Sequence, residues 1–69
     1  MEKYIIKNEY ITLTQFLKDC DFVYSGGMAK HFLKENEVYL NGEKETRRGK
    51  KIYPNDKITI NKKEYLFVK

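Results

Sequence analysis

The sequence has few of the residues that build disulfide frameworks, metal sites or catalytic centres. Its 69 residues include one cysteine, Cys20, and one histidine, His31. A single cysteine cannot form an intramolecular disulfide, and one Cys with one His falls short of the four ligands of a structural zinc site. We therefore expect no metal and no cofactor. His31 has no recognisable orienting partner, so an enzyme is the least favoured class of protein.

Long apolar runs are also absent. No segment approaches the roughly 20 apolar residues that a membrane-spanning helix requires, and no basic leader followed by a hydrophobic run marks a signal peptide. We expect a cytoplasmic monomer without a membrane partner. The length suits a single domain over residues 1–69. Six Tyr and four Phe supply large apolar side chains for a core, which disordered chains lack.

Positive charge is concentrated in one short stretch. Residues 44–51 hold five of the 14 Lys and Arg residues but one of the 10 Asp and Glu residues. The five are Lys44, Arg47, Arg48, Lys50 and Lys51. Elsewhere the two signs balance, so this stretch supplies the formal net charge of +4. Most charge runs are merely solvated, but a focused positive patch is also typical of proteins that bind a phosphate backbone.

Two helices are predicted in the first half of the chain. Thr12 and Gln15 form a Thr-x-x-Gln capping box, which predicts a first helix that begins at Leu13. Its apolar stripe, at positions i, i+3, i+4 and i+7, consists of Leu13, Phe16, Leu17 and Cys20. A second helix is predicted from about Gly26 to Glu35, with Ser25 as its N-cap.

The second helix presents a basic face and a glycine-rich start. Lys30 and Lys34 lie four residues apart and therefore share one face. Residues 25–27, Ser-Gly-Gly, are most simply a helix start. The functional alternative is that their free backbone N–H groups bind a phosphate at the positive end of the helix dipole. Asn36 is predicted to end the helix in a left-handed conformation.

Strand signals fill the rest of the chain. Short β-branched and aromatic segments predict strands at residues 4–6, 38–40, 43–46, 57–60 and 64–68. Asn41-Gly42 predicts a type I′ hairpin turn, and Asn61–Lys63 a second tight turn. Lys3 and Lys7 flank the first strand, as is common at a sheet edge. These elements predict an α+β fold, with two short helices packed on a small, mainly antiparallel twisted sheet.

Several other side chains have simpler structural interpretations. For Tyr24, Tyr39 and Tyr53, core or interface packing is favoured over base stacking by roughly three to one. Glu43 and Glu45 alternate on a predicted strand amid lysines, which suggests cross-strand or surface charge balance and not acid/base catalysis.

Four patterns together resemble the S4 RNA-binding domain family, also described by its alpha-L motif. They are Leu13-x-x-Phe16-Leu17, Ser25-Gly26-Gly27-x-Ala29-Lys30, Val38-x-Leu40-Asn41-Gly42-Glu43 and Pro54-Asn55-Asp56-x-Ile58. The resemblance covers residues 11–60, and a chain with nothing else resembles the small stand-alone YaaA-type members. It implies two helices that lead into a hairpin and dock on RNA.

The resemblance implies a non-enzymatic protein that binds structured RNA, either rRNA or tRNA, in association with the ribosome. Many members carry Arg-x-Asp near the first helix, where this chain has Thr12 and Thr14. More of the phosphate binding is therefore expected from the basic stretch. The candidate RNA contacts, from position in the family pattern and from charge, are Ser25, Gly26, Lys30, Lys34, Asn41, Lys44, Arg47, Arg48, Lys50 and Lys51.

A second class of function stays open at this point. An exposed strand edge or the tyrosines would also suit a protein-interaction module in ribosome assembly or in DNA replication and repair. RNA binding is favoured because the positive charge is so strongly clustered.

Overall fold

Two helices and seven short strands make up the fold. A computed structural model describes residues 1–69. In chain order the elements are β1 (Glu2–Ile5), β2 (Ile11–Thr12), α1 (Leu13–Asp19), α2 (Gly26–Glu35), β3 (Val38–Leu40), β4 (Glu43–Lys44), β5 (Lys51–Ile52), β6 (Lys57–Ile60) and β7 (Lys63–Val68). The α+β class predicted from the sequence is confirmed. None of the helices has the length and apolar character to cross a membrane.

The main sheet has five strands in the order β1-β7-β6-β3-β4. β1 pairs with β7 in parallel, with Glu2 opposite Tyr65, and the other pairs are antiparallel. The first strand therefore lies at a sheet edge, as predicted. It spans residues 2–5 instead of 4–6, and the return strand of the hairpin ends at Lys44 instead of Thr46. The short apolar segments of the sequence located these strands but did not define the residues at which they begin and end.

A second, two-stranded sheet was not predicted. β2 pairs antiparallel with β5, with Ile11 opposite Ile52 and Thr12 opposite Lys51. Two residues per strand are too few for a periodic pattern to show in the sequence. This small ribbon connects the start of α1 to the basic stretch, and it is therefore central to the site described below.

Both hairpin turns form where the sequence predicts them. Asn41 has φ of 51° and Gly42 of 88°, as a type I′ turn requires. Asn61 and Lys62 also have positive φ, 47° and 76°. The second turn therefore occupies two residues, and Lys63 already belongs to β7, opposite Ile60.

The helix starts agree with the sequence, but one helix end does not. The Thr12 side chain accepts from the backbone N–H of Gln15 at 3.2 Å, and Ser25 accepts from that of Met28 at 3.2 Å. The predicted left-handed Asn36 is wrong, because its φ is −122°. Its side chain instead donates to the carbonyl of Phe32 at 3.1 Å. The same carbonyl also accepts from the backbone N–H of Asn36 at 2.9 Å, and the backbone continues, extended, toward β3.

The core lies between the two helices and the main sheet. Thirteen buried apolar residues form one cluster. Phe16 of α1 is at its centre, with ring centroids 4.8 Å from Phe67 and 5.2 Å from both Tyr4 and Tyr65. Edge-to-face aromatic contacts of this kind add to the burial of apolar area. Cys20, at the end of the stripe of α1, is half-buried at the margin of the cluster.

Two of the tyrosines expected to pack are exposed. Tyr24 is 79% exposed and Tyr53 is 47% exposed, whereas Tyr39 is half-buried. Packing in the core is therefore wrong for Tyr24 and Tyr53, and packing at an interface stays a prediction. Both lie next to chain reversals, outside the reach of the cluster around Phe16. The exposed ring of Tyr53 therefore lies beside the basic stretch, and that of Tyr24 lies beside the start of α2.

Candidate nucleic-acid interface

The basic segment, which we define as residues 47–51, is fixed by the first turn of α1. The backbone N–H groups of Leu13 and Thr14 donate to the carbonyls of Lys50 and Arg48, at 2.8 and 2.9 Å. The first N–H groups of a helix have no partner within the helix. Here the carbonyls of the basic segment accept two of them, so the segment is attached to the helical half of the fold.

Thr14 holds the segment a second time through its side chain. Its hydroxyl donates to the carbonyl of Arg48 at 2.7 Å. A turn closed by the N–H of Lys50 on the carbonyl of Arg47, at 3.2 Å, shapes the segment from within. With its carbonyls turned to α1, the segment leaves the side chains of Arg47, Arg48 and Lys51 exposed and that of Lys50 half-buried.

Glu45 is buried beneath Arg47. The residue is 6% exposed, so a position at the surface is wrong for Glu45, although its carboxylate does balance a positive charge, that of Arg47. Its carboxylate accepts from the Nε and Nη2 of Arg47 at 3.0 and 3.2 Å and from the backbone N–H of Arg47 at 3.0 Å. These hydrogen bonds lower the pKa of Glu45 and raise that of the Arg47 guanidinium. Both groups therefore stay charged at neutral pH.

Arg48 connects the basic segment to α2. Its Nη1 donates to the carbonyl of Gly26 at 2.9 Å. Lys30 and Lys34 are exposed and follow Gly26 at intervals of four residues, so all three positions lie on one side of α2. Arg48, Lys30 and Lys34 thereby form a basic strip along the helix. Ser25 begins the same helix as its N-cap and is exposed.

The remaining predicted contacts lie on the hairpin side of the basic segment. A shallow depression of about 440 Å³ is lined by several residues that include Asn41, Lys44, Arg47 and Lys50. Lys44 is exposed, with its Nζ 5.9 Å from the centroid of the Tyr39 ring. The predicted residues thus fall into two groups, one along α2 and one beside the hairpin, and the basic segment lies between them.

Asn41 also has a structural role in this hairpin group. Its Nδ2 donates to Asp56 Oδ1 at 3.0 Å, and its Oδ1 accepts from the backbone N–H of Lys57 at 2.9 Å. Both ends of the amide are therefore engaged within the protein. Any contribution of Asn41 to a ligand would come from its second Nδ2 hydrogen or from the geometry of the turn.

Sequence reasoning missed Thr14 and Glu45 as parts of this site. In the sequence, Thr14 stands out only because it lies where many family members carry Arg-x-Asp. Its hydroxyl contacts the carbonyl of Arg48, 34 residues away, and no local pattern in the sequence predicts such a contact. For Glu45 a signal exists, because a Glu-x-Arg spacing beyond a hairpin brings the two side chains to the same side of an extended chain. No group of three or more His, Cys, Asp or Glu side chains is placed to hold a metal ion.

Comparison with known proteins gives two matches that cover most of the chain. A family model described as the S4 domain matches residues 4–68. The probable ribosome maturation protein RlbA of Bacillus subtilis (strain 168) is 54% identical over 55 residues, which are 80% of this chain and 78% of that protein. No solved structure matches the chain significantly.

Proposed function

This chain belongs to the S4 domain family, and from that premise we propose that it binds structured RNA without catalysing a reaction. Ribosomal RNA is the leading ligand class, because the similar Bacillus subtilis protein is described as a probable ribosome maturation protein; tRNA is the other. In this proposal the protein works in the cytoplasm, as a monomer, with residues 1–69 acting as one RNA-binding domain.

The observation that carries the proposal is the attachment of the basic segment to α1. Four contacts hold the backbone of the segment. Two are hydrogen bonds from backbone N–H groups of α1, the third comes from the Thr14 hydroxyl, and the fourth is the pairing of β5 with β2. A flexible loop loses conformational freedom when it binds a ligand, whereas a fixed one has lost it already. The segment is therefore suited to bind phosphates at defined positions.

Both arginines keep donors for phosphate after their internal contacts are made. A guanidinium has five N–H donors. The Arg47 side chain uses two of them on Glu45, and Arg48 uses one on Gly26. The Arg47 side chain is 70% exposed. Its unused N–H groups can contact phosphate oxygens while the bonded ones fix the direction of the fork.

The two flanking groups extend the basic surface on both sides of the basic segment. The basic strip on α2 and the cations beside the hairpin lie on either side of the basic segment, on a molecule that measures 28 × 22 × 17 Å. Duplex RNA is recognised mostly by its shape and its phosphates. We propose that the three basic regions contact successive phosphates, with little direct reading of bases in helical parts.

The test is a salt titration with a variant that leaves the internal hydrogen bonds in place. Lys50→Gln combined with Lys51→Gln removes two charges without removing a partner of Glu45 or Gly26. If both lysines contact phosphates, the slope of log K against log salt for a folded tRNA or an rRNA fragment becomes shallower by about 1.5 units. Filter binding at several salt concentrations measures this slope.

The matched control removes the same charge away from the basic segment. Lys3 lies in β1, at the sheet edge opposite β4, and Lys62 lies in the turn between β6 and β7; both are exposed. Lys3→Gln with Lys62→Gln lowers the net charge equally but is expected to keep the slope. Equal slopes for the wild-type protein and the Lys50/Lys51 variant would show that RNA does not contact this surface.

A further inference from the structure

Two exposed tyrosines form a pair at the open end of the β2–β5 ribbon. The register of Ile11 with Ile52 places Tyr10 opposite Tyr53, and their ring centroids are 5.8 Å apart at an angle of 46°. Tyr10 is 37% exposed and Tyr53 is 47% exposed. Each ring supports the other, and a substantial part of each remains open to solvent.

Basic side chains adjoin this tyrosine pair. The Nζ of Lys51 lies 4.9 Å from the centroid of the Tyr10 ring, within range of a cation–π contact. Tyr53 shares a shallow depression of about 480 Å³ with Arg47, Gly49, Lys50 and Lys51. The lining of this depression includes three cations and no carboxylate. An aromatic ring in such surroundings is suited to an anionic ligand that also has a flat apolar face.

The backbone holds Tyr53 in a fixed position. Its N–H donates to Asp56 Oδ2 at 2.8 Å, and its carbonyl accepts from the N–H of Asp56 at 3.0 Å. Tyr10 is held by the start of β2 and by the ring contact. The backbone that carries Tyr53 is therefore ordered before a ligand binds, which reduces the conformational entropy lost on contact.

A nucleotide that projects from an RNA helix has the matching chemistry. Bases inside a duplex are stacked on one another and expose no face, whereas an unpaired base can stack on an aromatic side chain. Its own phosphate and those of its neighbours lie close enough to reach cations beside the ring.

We propose that Tyr53, supported by Tyr10, stacks on an unpaired base of the RNA while Arg47, Lys50 and Lys51 bind the adjacent phosphates. This inference rests on the proposed function and narrows its ligand to RNA in which an unpaired nucleotide adjoins a helix. The basic strip on α2 contacts the helical part, and the tyrosine pair contacts the projecting base.

Two RNAs that differ in one nucleotide test the inference. One is a duplex of roughly 16 base pairs, and the other is the same duplex with one bulged fluorescent base analogue. The wild-type protein should bind the bulged RNA about tenfold more tightly than the plain duplex. Tyr53→Leu, which keeps an apolar side chain but removes the aromatic ring, should bind both RNAs alike. Fluorescence of the bulged analogue should change on binding of the wild-type protein and stay constant with the variant.

The controls separate failure of this inference from failure of the proposed function. Tyr24→Leu removes an exposed tyrosine that lies outside the pair and should keep the tenfold preference. Tyr10→Leu, which weakens the support of Tyr53, should reduce the preference, and it serves as the second variant if Tyr53→Leu does not fold. Equal affinity of the wild-type protein for both RNAs, without a fluorescence change, refutes stacking but leaves RNA binding in place. Binding to neither RNA refutes both proposals.

Discussion

Replacing Glu45 by Gln tests whether the buried carboxylate holds the basic segment in place. The carboxylate accepts three hydrogen bonds from Arg47. Glutamine has the same size, but its amide has one acceptor oxygen, and its NH₂ group would face an Arg47 donor. At least one hydrogen bond to a charged group is therefore lost, and the other two are weakened.

The expected cost follows from the burial of one partner and the exposure of the other. A hydrogen bond to a charged group stabilises a protein by about 1.5–3 kcal/mol. The Arg47 side chain is 70% exposed, so solvent screens the pair and the loss falls below this range. We expect Glu45→Gln to lower the free energy of unfolding by about 1 kcal/mol. For a chain of this length that corresponds to a Tm lower by about 4–8 °C.

The pH dependence identifies the cause of that loss. In the folded protein the pKa of Glu45 lies below its ordinary value. A group with a lowered pKa stabilises the fold fully above its unfolded pKa, about 4.3 for Glu, and less as the pH falls through the folded value. The difference in Tm between the wild-type protein and Glu45→Gln should therefore be constant from pH 7 to about 5 and narrow below about pH 4.

Thermal unfolding followed by circular dichroism measures both quantities. Glu43→Gln is the matched control, because Glu43 is exposed on β4 two residues away and should change Tm by little. If Glu45→Gln melts like the wild-type protein, or if their difference in Tm is the same at pH 3 and pH 7, the carboxylate does not hold Arg47 in the way described.

Two further predictions concern side chains outside the basic segment. Thr14→Val removes the hydrogen bond from the hydroxyl to the Arg48 carbonyl but removes no charge. It should lower the free energy of unfolding by about 0.5 kcal/mol and weaken RNA binding without changing the slope of log K against log salt. Thr59→Val on β6 is the control, and a changed slope for Thr14→Val would contradict its role in holding the basic segment. Burial, with nearby carboxylates, raises the pKa of the Cys20 thiol, so at pH 8 iodoacetamide should alkylate it more slowly in the native protein than in urea, and an equal rate would contradict this.

Sequence reasoning succeeded where the determinants are adjacent residues. The starts of both helices depend on Thr12 and Ser25, which cap the backbone N–H three positions later. The first hairpin depends on Asn41 and Gly42, which tolerate positive φ. Such signals lie within four residues of their effect. For that reason they identified the order of helices and strands, and the family resemblance indicated how the two helices lead into the hairpin.

The part of the fold that sequence reasoning missed depends on residues distant in sequence, because the pairing of β2 with β5 joins segments about 40 residues apart. Asn36 failed for a related reason, because the strand that follows determines where the chain must leave α2. The burial of Glu45 is a different case, because its partner Arg47 is two residues away and the Glu-x-Arg spacing was not used. Charge counting located the basic segment correctly but showed neither its attachment to α1 nor the tyrosine pair beside it.

The parallel pairing of β1 with β7 also bears on how the chain folds as it is synthesised. Residues 2–5 are translated about 60 residues before their partners, residues 65–68. At roughly 5–20 residues per second that interval lasts about 3–12 s, whereas helices and hairpins form within microseconds. Local elements can therefore assemble first, and the outer strand stays unpaired until translation reaches the end of β7. Ile5, 64% exposed even in the folded protein, belongs to this late-pairing strand.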